Sequence, residues 1–197
     1  QYFGAGQYAE IGAIVWQGMY LSLLSLLFIV PMYFLADALF SAVGHSAAIQ
    51  ELEVIYFKTL LYSAVFQVMN NALSSFFSGM GRTLVLMWVS LLILAINLIL
   101  DYVLIFGHWG FPEMGIHGAA IATNIGIIAG FFTFVFLIIS KGNQDKFHTL
   151  KRWHFDVSLF LRLIRFGLPN GVRLFIDMSA FAAFLLLVGL LGTLELV

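Results

Sequence analysis

The sequence predicts an all-α, polytopic transmembrane helix bundle, and three observations predict it. Hydrophobic residues make up 62 % of the 197 residues and charged residues only 10 %, against roughly 45–50 % and roughly 25 % in soluble domains. Mean hydropathy is +1.02, more than one packed core beneath a water-facing surface can produce. The few charges are also not scattered, because they bracket long uncharged runs. Between Glu10 and Asp37 lie 26 uncharged residues, between Lys58 and Arg82 another 23, between Arg82 and Asp101 18, and between Glu113 and Lys141 27. A hydrocarbon core of about 30 Å takes about 20 helical residues, so each run can cross it. Every backbone amide must be satisfied within such a segment, and the runs lack the alternation of barrel strands. Helices are what remains.

Five spans follow in order: A at about 13–36, B at 57–79, C at 84–106, D at 116–140 and E at 168–191. Span A contains Pro31, which removes an amide donor and is expected to kink the helix. Span B carries Gln67, Asn70 and Asn71 beside Met69. These read either as interhelical hydrogen-bonding groups or as lining of a substrate cavity. Span D opens with MGIHGAAIATNIG, in which Gly118, Ala122, Gly126 and Gly130 recur every four residues. In a membrane, such a ladder of small residues lets a neighbouring helix approach closely. Span E carries Arg173 and Asp177, an i,i+4 pair that can neutralise itself or leave Asp177 free to titrate.

The connection between D and E, residues 141–166, is too long for a turn. Its first part, KGNQDKFHTLKRW, is polar and basic. From Asp156 onward the pattern changes: Asp156 can cap a helix, Leu159, Phe160, Leu163 and Ile164 make an apolar stripe, and Arg162 and Arg165 flank it. That is the pattern of an interfacial helix on an anionic leaflet. Leu168-Pro169 then starts span E, with Pro in the tolerated first turn. Of the nine basic residues, six lie between D and E, Arg82 and Arg173 fall on the same face by alternation, and only Lys58 falls on the other. This asymmetry places the loops at 79–84 and 141–166 in the cytoplasm.

Other classes have little to stand on. Net charge is −1, so no basic field awaits nucleic acid. The chain has no Cys, and its five His carry no HExxH or paired spacing, which argues against thiol chemistry and a His-built metal site. An enzyme would need a nucleophile–base pair at membrane depth, and none is spaced for it. The chain begins at Gln1 rather than Met, and both ends read as cuts through a longer protein.

Asp101 is the informative charge. A carboxylate inside an apolar run is costly and is by default functional, although a snorkelling aspartate at a helix end gives the same pattern. Asn97 lies one turn earlier on the same face. Thr123, seven residues into span D, reaches the same level if C and D are antiparallel neighbours. Carboxylate, amide and hydroxyl oxygens at one depth suit Na⁺ or a proton.

Five segments together resemble one family. They are QYFGAGQ at 1–7, SGMGRT at 78–83, NLILDYVLIFG at 97–107, GFPEMGIHGAAIAT at 110–123 and FGLPNGVRLFIDMSAF at 166–181. Their order and spacing resemble the multidrug and toxic compound extrusion (MATE) family, in its NorM-like branch. The resemblance covers essentially the whole chain. It implies a twelve-helix, two-lobe transporter, of which this chain runs from the end of helix two through helix seven. Residues 1–140 would belong to the N-terminal lobe, 141–166 would form the connector, and 167–197 would be the first helix of the C-terminal lobe. It further implies antiport of organic cations and drugs across the cell membrane, driven by inward Na⁺ or H⁺, with no other cofactor. Asn97, Asp101 and Thr123 match the family's first-lobe cation site, and Asp177 stands where NorM-like members usually carry Glu. Partners would be small-molecule cations, membrane lipid and the rest of the same chain, which supplies the first helix and the second lobe. A lipid-linked oligosaccharide flippase of the wider superfamily is the alternative. It would need several basic residues in its cavity, whereas only Arg173 lies inside a span.

Overall fold

A computed structural model of the chain describes residues 3–4, 6, 8–43, 45–150 and 153–194, except the side chains of Ala9 and of residues beyond 184. Lys151 and Arg152 of the basic connector, and the side chains of the end of span E, lie outside the described residues. The described residues form seven α-helices and a short 3-10 turn, with no strand among them. The helices are α1 (Tyr8–Leu24), α2 (Leu26–Val43), α3 (Ala47–Gly79), α4 (Thr83–Phe106), α5 (Gly115–Ile139), α6 (Lys141–Phe147) and α7 (Val157–Leu194). Among the described residues, four stretches are long and apolar enough to cross a membrane: Glu10–Val43, Ala47–Gly79, Thr83–Phe106 and Gly115–Ile139. The chain divides into two units at Phe155–Asp156.

Spans C and D match α4 and α5 to within one residue at each end. Span A does not run as one helix. The ladder breaks at Ser25, six residues before Pro31, where Ser25 N donates to Ser22 O at 3.1 Å and Ser25 Oγ to the same carbonyl at 2.6 Å. Ser22 Oγ in turn donates to Gly18 O at 2.8 Å. Two hydroxyls competing for α1 carbonyls, and a proline that cannot donate to the turn before it, divide the run into α1 and α2.

Helix α3 starts ten residues before span B. Glu51 and Glu53, which precede span B, are helical. His45 Nδ1 meets Glu53 Oε1 at 2.8 Å, and Lys58 Nζ donates to Asp37 Oδ2 at 2.6 Å, which ties α3 to α2. Pairing lets the helix carry charges that would otherwise cut the apolar run short. The α3–α4 turn is a Schellman motif, with Gly81 at φ +72°, Gly81 N donating to Ser78 O and Arg82 N to Phe77 O. Gly81 supplies the left-handed residue that the motif needs.

Helix α5 is the centre of the first unit, packing on both α3 and α4, while α3 also takes α1 and α2. The main core joins Val15, Leu73, Phe76, Phe77, Val89, Phe134, Ile138 and Phe147. Phe147 comes from the stretch that is polar and basic in sequence. Residues 141–147 are helical, and the segment after them is docked on α1. Trp16 Nε1 donates to Thr149 O at 2.7 Å, Gln17 Nε2 to His154 O at 3.0 Å, and Tyr20 Oη to Trp153 O. Phe147 and Thr149 are buried beneath these contacts.

In the second unit, Leu159 N donates to Asp156 Oδ1 at 3.1 Å, the cap expected of Asp156. The helix does not restart at Pro169. Helix α7 passes through it, so the stretch read as an interfacial helix and the stretch read as span E are continuous. In its first turns, that helix leaves Val157, Leu161, Phe166 and Leu168 exposed within its own unit.

Candidate functional site

The seam between α4 and α5 is built by small residues. Gly118, Ala122, Gly126 and Gly130 are all buried. A Cβ at Gly118 would lie 2.7 Å from Leu104 O, and one at Gly126 3.2 Å from Ile93 O, so backbone touches backbone here. The return between the helices is equally tight. Gly107 closes α4 at φ +69°, where a Cβ would lie 2.8 Å from Glu113 N, and Met114 N donates back to Leu104 O at 2.9 Å. The seam therefore has a fixed antiparallel register.

That register brings Asn97, Asp101 and Thr123 together. With its amide turned to satisfy its neighbours, Asn97 donates to Asp101 Oδ2 at 3.2 Å and its oxygen meets Thr123 N and Oγ1 at 3.3 Å. Thr123 Oγ1 also lies 3.0 Å from Ala119 O, to which it donates. A hydroxyl has one proton, so while it goes to Ala119 O the Asn97 oxygen is held by Thr123 N alone. Asp101 Oδ1 is a buried oxygen atom without a hydrogen-bond partner. A carboxylate oxygen in that condition is costly and calls for a proton or a cation.

The remaining expected residues separate. Asn70 is buried and donates from Nδ2 to Ile127 O at 2.9 Å, while its Oδ1 is buried and unpartnered. This fits the interhelical reading of the span B amides. Met69 is in the core, whereas Gln67 and Asn71 are exposed on α3, one turn apart. Asp177 lies on α7, in the second unit. Its Oδ2 is 3.8 Å from Arg173 Nε, and both side chains are largely exposed within that unit.

A second polar cluster was not anticipated. Ser63 Oγ donates to Asn124 Oδ1 at 2.6 Å, and Asn124 Nδ2 donates to Thr59 O at 2.6 Å, all buried between α3 and α5. The available signal was Thr59 and Ser63 one turn apart on span B, with an amide next to Thr123. It says nothing until the two helices are known to touch.

Known proteins resemble the chain over most of its length. The chain is 26 % identical over all its length to "Probable multidrug resistance protein NorM" of Agrobacterium fabrum, and 30 % identical over 98 % of its length to the protein of that name in Rhizobium meliloti. In both cases it spans about 42 % of the relative's length. Among solved structures, the inward-facing conformation of a multidrug resistance MATE family transporter of the MOP superfamily superposes with a TM-score of 0.74. The match covers 85 % of this chain and 38 % of that one at 24 % identity, so it speaks for the fold. Four apolar stretches of spanning length among the described residues make this a multi-pass membrane protein. The MatE family model matches residues 1–103, more than half of the chain, and the chain belongs to the MatE family.

Proposed function

We propose that the chain is part of a cation-coupled antiporter that exports small organic cations and drugs across the cell membrane, using an inward gradient of Na⁺ or H⁺. Two findings support the transport reading: the relatives are named as multidrug resistance proteins, and the structural neighbour is named as a transporter. Neither favours the flippase. The observation that carries the coupling reading is the buried, unpartnered Asp101 Oδ1 beside Asn97 and Thr123. Turned over, the Asn97 amide would set its oxygen 3.2 Å from Asp101 Oδ2. Two oxygens at that distance repel unless a cation or proton lies between them. The amide can thus answer to occupancy of the site, with nitrogen toward the free carboxylate and oxygen toward a bound Na⁺.

In this proposal the α3–α4 turn and the connector face the cytoplasm, and Asp177 serves a second site with the rest of the chain. Lipid, the first helix and the second lobe complete the transporter. Alternating access needs two repeats moving about a shared midplane site, so these 197 residues alone would not transport.

The test is gradient-driven drug efflux by the intact transporter in proteoliposomes, with Na⁺ and pH gradients imposed separately. Asp101→Asn keeps size and hydrogen bonding but removes the charge. Efflux should fall by about 5- to 150-fold, the usual range of a coupling free energy, with thermal stability retained. Asn97→Ala should weaken Na⁺-driven efflux more than H⁺-driven efflux. Wild-type coupling in Asp101→Asn would make Asp101 a boundary residue and remove the proposal.

A further inference from the structure

A cavity of about 410 Å³ opens at the end of the bundle where the α3–α4 turn meets α6. Its size is that of small-molecule sites, roughly 300–1,000 Å³. Phe77, Leu137 and Phe147 form its apolar side, and Arg82, Asn143 and Lys146 its polar side. The two cations are placed rather than loose. Arg82 Nη1 donates to Asn143 Oδ1 at 3.1 Å, and Asn143 is buried and held by its own donation to Leu137 O at 2.8 Å. Lys146 Nζ lies 4.6 Å from the centre of the Tyr8 ring and 5.3 and 5.6 Å from those of Phe3 and Phe147. Among the described residues neither cation has a carboxylate partner, in contrast to Lys58, which is paired with Asp37.

We propose that this cavity binds the phosphate group of an anionic membrane phospholipid. The chemistry is that of an anion. Arg82 offers a planar fork of N–H donors, Lys146 a point charge that aromatic faces hold without neutralising, and Asn143 fixes the fork. Location selects the lipid over a dissolved phosphate. The lining comes from the last turns of α3 and α5, the first turn of α4, and α6, which is the boundary between hydrocarbon and headgroups. Leu84, Met87 and Trp88 are exposed on the first turns of α4, a surface suited to acyl chains. Basic pockets between helix ends are where anionic headgroups are recognised. The proposal rests on the membrane fold and does not depend on coupling at Asp101.

The test uses the intact transporter, delipidated in detergent, with bound molecules followed by native mass spectrometry. Dioctanoyl phosphatidylglycerol should bind more tightly than dioctanoyl phosphatidylcholine. Arg82→Gln or Lys146→Gln should each weaken phosphatidylglycerol about fivefold and the pair about 25-fold, from the usual worth of a basic residue near an anionic surface. Lys141→Gln removes an equal charge from an exposed neighbour outside the cavity and should change nothing. If the double variant fails to fold, the exposed Lys146→Gln carries the test alone. Equal binding of the two lipids would overturn the proposal, as would equal losses in Lys141→Gln and Lys146→Gln. Full displacement of phosphatidylglycerol by millimolar inorganic phosphate would overturn the lipid as the source.

Discussion

Asn124 and Asp101 show how differently two polar residues in apolar runs can be read. A carboxylate at membrane depth costs a few kcal/mol, so Asp101 signals itself from the sequence, and Asn97 one turn away strengthens the signal. An amide is cheaper and ambiguous, and Asn124 gained meaning only when α5 was found against Ser63 and Thr59 of α3. Interhelical hydrogen bonds in membranes average about 0.6 kcal/mol and reach about 1.7. A double-mutant cycle of Ser63→Ala and Asn124→Ala should return a coupling in that range, measured by unfolding in mixed micelles. Asn124→Ala alone should cost about 1–3 kcal/mol, because Thr59 O is left buried without that donor. A coupling near zero would mean that the two side chains share a space without stabilising it. The same logic separates the span B amides. Asn70 is a packing residue with an interhelical bond, while Gln67 and Asn71 share an exposed face.

At the scale of elements, the α4–α5 seam and the docked connector depend on glycines for closeness. Gly118→Ala would drive a Cβ into the Leu104 carbonyl, and backbone cannot step aside as a side chain can. Forced overpacking costs about 1–3 kcal/mol, so thermal unfolding should fall by that amount and the Asn97–Asp101–Thr123 cluster should loosen. At Gly130 the obstacle is the Ile93 side chain, whose end can turn, and Gly130→Ala should cost less. Gly142→Ala meets nothing within 4 Å and serves as the silent control. A Cβ on Gly12 would lie 2.5 Å from Phe147 O and 3.1 Å from Thr149 Cα. Gly12→Ala should therefore lift the connector from α1 and raise hydrogen exchange across residues 147–155, while leaving the α4–α5 seam protected. Unchanged exchange there would show that the Trp16, Gln17 and Tyr20 hydrogen bonds hold the segment without that close approach.

For the whole molecule, the structure brings the α3–α4 turn and α6 to one end, since Arg82 bonds Asn143, and the proposal that this end is cytoplasmic rests on charge asymmetry alone. The chain has no Cys, so single introduced thiols can check the side. Gly142→Cys should resist a membrane-impermeant maleimide in intact cells and react after lysis, whereas Ser46→Cys should react in both. The reverse pattern would invert the orientation. Apolar run length was enough to place α4 and α5, because hydrocarbon forces an uninterrupted helix and charges mark where it must stop. The Asn97–Asp101–Thr123 cluster was legible for a related reason. Two of its residues are one helical turn apart, and the third follows across a short antiparallel return. Run length failed where a partner changed the cost. Lys58 and Asp37 pair, so α3 could extend past its charges, and two serines together with Pro31 divided α1 from α2. Composition marked the start of the connector as polar and basic, yet Phe147 and Thr149 are buried, and Thr149 O and His154 O accept from α1 donors more than 130 positions earlier. Contacts that distant leave no periodic trace in the chain, and only packing decided them.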